Sequence, residues 1–330
     1  TYQTQVITQI VFVDKSVVLR GGYDAADWDE DPPDHHLHPT RLDAQGLGRG
    51  IFIADGISVT VDRMVLVNGS ATGLGGGPAD ADAGGNLYNA GGDLTLTANR
   101  VYSGTATLGG GLYSHGGDLL LQNDLLHHNQ ATDQGGAVYV YTGTATLENN
   151  TFFTNTATNQ GAALYAADGS LTISNTIFAG NVSGSGGVVH AASAVSAVDY
   201  ALYYNNDPSH IGGTVPALDL YDVEADPQFV APATMPPDLH LQNTSPAKDA
   251  GDPDTTLDID YDNYFRPLGP GFDIGAYERV PVQGMSFYSD HVPTTVAGVT
   301  VFFTHTRENT GRTTETFTID ATNDLAGTME

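Results

Sequence analysis

The sequence predicts an all-β fold, a parallel β-helix with coils of about 25 residues, and three observations carry that reading. Gly-led phrases open at Gly84, Gly109, Gly135, Gly161 and Gly186, spaced by 25 or 26 residues. An Asn column, Asn129, Asn155, Asn181 and Asn205, keeps nearly the same step, and Leu126, Phe152, Phe178 and Leu202 precede it by three. Within each unit apolar residues alternate, as in Leu94 and Leu96, Leu119 and Leu121, or Leu171 and Ile173. That is the period of a half-buried strand.

The elements follow from these columns. Gly, Asn and Asp between the short strands turn the chain, and 40 Gly among 330 residues disfavour long helices. One unit cannot bury its apolar face alone, so the units stack. Asn129, Asn155, Asn181 and Asn205 are expected to be buried at a corner. Each should bond the backbone and the Asn one coil away, about 4.8 Å along the axis. A third column, Asn123, Asn149, Asn175 and Asp199, lies six residues ahead of it. The expected organisation is a cap and first coils in 1–75, regular repeats in 76–215, final coils and a cap in 216–280, and a separate β segment in 281–330.

Composition narrows the partners. A formal net charge of −28 argues against nucleic acid and anionic lipid, which need a basic footprint. No apolar run is long enough to span a bilayer. The absence of Cys removes disulfides and thiol chemistry, and a long stacked core needs no such staples. The chain opens on Thr1 without an initiator Met, as expected of a processed or trimmed segment.

Several stretches resemble a known family. The GGxLY phrases, with Phe152-Phe153-Thr154-Asn155 and Phe178-Ala179-Gly180-Asn181, resemble the repeats of polymorphic outer-membrane proteins. The run from Ser245 to Asp252, Phe265-Arg266-Pro267 and Asp273-Ile274-Gly275-Ala276-Tyr277-Glu278 is similar to the end of bacterial choice-of-anchor β-helix proteins. Residues 17–23 and 39–43 resemble their first coils. The likeness spans residues 5 to 280. It implies a right-handed parallel β-helix, secreted or displayed on a bacterial-type cell surface, and says little about activity. Residues 299–305 and 314–319 read as strands around an Asn309-Thr310-Gly311 turn. They resemble the front half of a bacterial immunoglobulin-like domain, so a short immunoglobulin-like β segment is expected there.

Two outward aromatic columns are the first candidate site. Tyr88, Tyr113, Tyr139, Tyr165 and His190 follow the inward Leu or Val of each phrase, so they point out. Tyr102, His127, Phe153, Ala179 and Tyr203 stand two residues before each Asn. Such ladders serve either as a platform for glycans or a partner protein, or as stacks that tie coils together. The second candidate is a divalent-metal set from His35 and His38, with Asp31 or Asp34. The third is calcium at Asp258, Asp260 and Asp262, although Gly269 stands where an EF-hand would place Glu. No cofactor is required on this reading, and calcium is the cation that the Asp258, Asp260 and Asp262 set would take.

Catalysis finds little support. A uronate lyase needs a base and a cation for the substrate carboxylate, yet Lys248 is the lone Lys or Arg between Val101 and Phe265. Asp93 and Asp118 occupy equivalent positions, but Thr144 and Ser170 follow them in the column. No residue is therefore assigned as catalytic. The expected function is a non-enzymatic extracellular structural or adhesive β-helix whose partners are surface glycans or copies of itself, assembling head to tail into filaments. The alternative is a carbohydrate-binding or carbohydrate-cleaving β-helix.

Overall fold

A computed structural model describes residues 8–24, 26, 33–280, 286–288 and 306–308. Three parallel sheets run the length of a β-solenoid, with coils of 25 or 26 residues through its regular part. The first sheet has eight strands and carries the Tyr column, as in Leu87–Asn89, Leu112–Ser114, Val138–Val140 and Leu164–Ala166. The second has seven, among them Asp93–Thr97, Asp118–Gln122, Thr144–Glu148 and Ser170–Ser174. The third has eight, from Thr40–Asp43 to Val223–Glu224. A short fourth sheet joins the third to the first. We call the first three the Tyr, Leu and corner sheets.

Alternation does what the sequence implies. Leu94, Leu96, Leu119, Leu121, Leu147, Leu171 and Ile173 all face one core. Phe152, Phe178 and Tyr203 stack within it, with ring centroids 5.1 and 5.4 Å apart.

Both corners of the third sheet are built the same way. A residue with left-handed backbone ends one strand, and the next residue turns its side chain inward. At the first corner Arg63, Ala98, Asn123, Asn149, Asn175 and Tyr200 have φ between 48° and 56°. Asn tolerates that region better than most residues, which explains the column of Asn123, Asn149 and Asn175. Their successors Asn99, Asp124, Asn150 and Thr176 make the inward ladder. At the second corner Asn129 donates to Asn155 Oδ1 and Asn155 to Asn181 Oδ1, through both backbone and side-chain N–H. Asn181 then donates to Asn206 Oδ1 at 2.9 and 3.1 Å.

The last rung is therefore Asn206, not Asn205. Asn205 is exposed and takes the left-handed turn, with φ of 48°. The same one-residue offset moves Asp199 off the turn position, which Tyr200 fills. It also turns Tyr203 inward opposite Phe178 and leaves Tyr204 outward. At the other end of this ladder Asn86 reaches into the corner beside Gly69 and Gly104, donating to Asn129 Oδ1. A Cβ on Gly104 would lie 2.5 Å from Asn86 Nδ2, so this rung admits only glycine.

The expected final coils in 216–280 give way to a different arrangement. Val223–Glu224 adds a last rung to the corner sheet. After it, Phe229–Ala231 and Asp238–Leu241 pair antiparallel, and the chain returns along the outside of the corner sheet as a strap. Phe229, Leu239, Tyr261, Ile274 and Tyr277 pack on Leu125, Ile177, Ala179 and Leu202. Polar contacts follow the same track across the coils. Gly275 N–H donates to Asn175 O, Asn149 Nδ2 to Asp273 O, Asn123 Nδ2 to Ile259 O, and Arg63 Nη2 to Asn263 Oδ1.

Residues 280–330 form a second unit. Within it Ser286–Tyr288 and Thr306–Glu308 pair antiparallel. The expected immunoglobulin-like strands at 299–305 and 314–319 lie outside the described residues.

Candidate functional site

The Tyr column is a continuous stack, and its tyrosines are sealed. Phe12, Phe52, Tyr88, Tyr113, Tyr139, Tyr165 and His190 follow one another at centroid spacings of 5.0 to 5.4 Å. The rings point away from the main core, as expected, into a second apolar cluster closed by Ala83 and Leu108. Tyr113 is fully buried, and Tyr88, Tyr139 and Tyr165 are no more than 8% exposed. A long loop in the coil between Phe52 and Tyr88 supplies part of the roof. Tyr88 Oη donates to Gly76 O, and the Arg49 guanidinium lies 4.8 Å over the Tyr88 ring. Burial raises Tyr113 and Tyr139 well above the usual phenol range. The tyrosines of this column offer no ring face to a glycan, while the ends differ, with Phe12 exposed and His190 half-buried. The column acts as a clamp between coils, with each aromatic pair contributing about 0.5–1.5 kcal/mol.

In the second aromatic column Phe153 and Ala179 lie under the strap, and Tyr102 Oη accepts from Arg41. Tyr102 and His127 are buried, with stacked centroids 4.7 Å apart. Phe153 packs edge-on against Phe229. His127 Nε2 has no partner, and burial, with Arg100 and His128 nearby, pushes the imidazole down to about 2. It is a neutral core histidine.

The loop and strap histidines meet in a way the spacing did not reveal. His35 is buried, its ring nitrogens lack partners, and burial beside His36 lowers it to about 3. His38 lies 3.9 Å from Asp24. Asp31 lies outside the described residues. The pairing falls instead on His36 and His240. His36 Nε2 approaches Asp262 Oδ1 at 2.7 Å, off the hydrogen-bonding direction, and His240 Nε2 lies 2.6 Å from Oδ2. Asp238 holds His240 Nδ1. Burial alone would raise Asp262, but His240 and His36 keep it below the usual carboxylate range.

The Asp258-x-Asp260-x-Asp262 carboxylates do not converge. Asp260 accepts from Asp262, Tyr264 and Glu278 N–H groups, while Asp262 turns to the histidines. Among the described residues no set of three or more His, Asp or Glu is arranged to hold a metal ion.

The Asp273–Glu278 stretch closes the strap. Arg266 donates to Glu278 Oε1, Asn123 Oδ1 and Gly275 O at 2.8 to 2.9 Å. Glu278 also accepts from Leu268 and Asp273 N–H. Asp273 accepts from Asp249 and Arg279 N–H. These residues hold the strap against the corner sheet.

Among the described residues the outward face of the Leu sheet is the least covered, with the strap touching its edge where Thr255 Oγ1 donates to Glu148. One column runs Ser58, Asp93, Asp118, Thr144, Ser170, and a second runs Thr60, Thr95, Leu120, Thr146, Thr172. Neighbours in a column lie about 4.8 Å apart. Asp118 N–H donates to Asp93 Oδ1, and Ser58 Oγ to Asp93 Oδ2. At its first rungs lies an open groove of about 450 Å³, lined by Ser16, Val17, Val18, Ser58, Thr60, Asp93 and Thr95. Asp93 and Asp118 were visible in the sequence as a column, but the uncovered state of their face was not.

Fold and faces together define a parallel β-solenoid with a strapped side. No protein-family model and no curated protein matches the chain. Among solved structures, the crystal structure of pectate lyase Pel9A is similar at 11% identity and a TM-score of 0.33, covering 82% of this chain and 86% of that one. At that level nothing about activity carries across. No helix among the described residues is long and apolar enough to cross a membrane.

Proposed function

We propose that this chain is a non-enzymatic, extracellular structural or adhesive solenoid, of the kind its resemblance to polymorphic outer-membrane repeats implies. Its open Leu-sheet face meets surface glycans. The carrying observation is that face: repeating Ser, Thr and Asp in two columns, the least covered of the three faces among the described residues. Short hydroxyls and carboxylates bond sugar hydroxyls, and exposed Val17 and Val18 give the groove an apolar wall. The net charge of −28 disfavours uronate or sulfated polymers and leaves neutral or amine-bearing ones. Replacing Thr95, Thr146 and Thr172 together by Lys should abolish retention on neutral polysaccharide and leave the melting temperature within a few degrees of the parent. Unchanged retention defeats the reading.

End-to-end association belongs to the same proposal. In the first rung, Gln9–Val13 and Val17–Arg20 each pair on one side among the described residues. Ile10, Phe12, Val17 and Val18 are exposed there. An open apolar edge of this kind favours strand addition. Sedimentation of Phe12→Asp with Val18→Asp should show loss of any assemblies that the parent chain forms. Assemblies of unchanged size would rule this edge out.

A further inference from the structure

Six asparagines of the two corner ladders repeat one arrangement. Each turns its amide onto a backbone carbonyl of the coil before. Asn99 Nδ2 donates to Val61 O at 2.8 Å and Asn150 Nδ2 to Leu121 O at 2.9 Å. Asn129, Asn155, Asn181 and Asn206 donate to Val101, Leu126, Phe152 and Phe178 O at 2.8 to 3.0 Å. Asp124 occupies the rung between Asn99 and Asn150. Its Oδ1 does what an asparagine Oδ1 does, accepting from Asn99 N and Nδ2 at 2.7 and 3.0 Å. Its Oδ2 stands where the others carry an amide, fully buried and with no partner. The carbonyl at the equivalent place is that of Leu96, the residue paired with Leu121.

We propose that Asp124 carries a proton on Oδ2 at neutral pH and donates it to the Leu96 carbonyl, so that a carboxylic acid completes a ladder of amides. An ionised Asp124 would set a carboxylate oxygen without a hydrogen-bond partner on Oδ2 beside a carbonyl oxygen inside the core. A protonated one reproduces the neighbouring rungs. The surroundings favour the acid. Burial pushes the group up to about 8, against donors from Asn99 and Gln122 that favour the anion. The titratable groups that reach it are Asp62 in the Leu sheet and Tyr261 in the strap. Asp62 is itself held by Arg20 and Arg63, so neither offers Asp124 a counter-charge. The rung is thus an alkaline-sensitive element inside the solenoid. Its stabilisation is complete below the ordinary Asp value of 3.8 and is lost progressively as pH rises through about 8.

The test compares the full chain with Asp124→Asn, and with Asp124→Thr, which copies Thr176 of the same ladder. Infrared difference spectra at pH 7 should show a protonated-carboxyl band in the parent that both variants lack, fading as pH rises through about 8. In urea, the unfolding constant of the parent relative to Asp124→Asn should rise about tenfold per pH unit between pH 4 and 8, then level off. Absence of the band at pH 7, or parallel pH profiles for parent and variant, would overturn the proposal.

Discussion

Arg266→Ala should unfold the strap and lower stability by about 3–5 kcal/mol, the range for breaking a buried ion pair from one side. The Arg266 and Glu278 side chains are 0% and 1% exposed and lie 2.8 Å apart. Removing the guanidinium leaves Glu278 buried without its counter-charge and deprives Asn123 Oδ1 and Gly275 O of a shared donor. Arg266→Lys should recover little, because one ammonium cannot reach three acceptors with a fork's geometry. Urea melts give the magnitude. Limited proteolysis gives the location, with new cuts expected in 245–279 and none in the regular coils. A variant with the parent's melting curve and cleavage pattern would show that the clamp contributes nothing.

The parts legible in the sequence were those that repeat. Leu94, Leu119, Ala145 and Leu171 share a column because parallel pairing sets each on the last. One coil therefore predicts the next. The slip at Asn205 shows the limit. Asn suits both the left-handed turn and the inward rung, so an Asn-Asn pair fits two registers, and only the backbone decides. Outward direction was legible for the Tyr column, but its cover was not. Ala83 and Gly76 come from a loop without period, and Leu108 ends a strand of the short fourth sheet.

The strap was illegible for a related reason. Its apolar residues, Phe229, Leu239, Tyr261 and Tyr277, follow no coil spacing, and their partners lie far back in the chain. His36 and His240 illustrate the same point. Nothing local says that Asp262 will come between them. The aromatic columns thus looked like binding surfaces until the segments covering them were placed.

Asn155→Leu should cost about 3–6 kcal/mol, because it strands several buried groups at about 1–3 kcal/mol each. Asn155 is fully buried. Its Oδ1 accepts from Asn129 N and Nδ2, and its Nδ2 donates to Leu126 O and Asn181 Oδ1. Leu has similar bulk and none of these groups. The Asn129 donors then face hydrocarbon, and Leu126 O loses its side-chain partner. The damage reaches the coils on both sides, since each rung supplies the acceptor for the one before it. Asn205→Gly is the matched control, because glycine keeps the left-handed turn. The Asn205 side chain is exposed beside the end of the ladder, so the change should stay within about 1 kcal/mol. Urea unfolding of the two variants against the parent measures both. Equal losses at 155 and 205 would refute the ladder's register, and no loss at 155 would refute its role in holding the coils together.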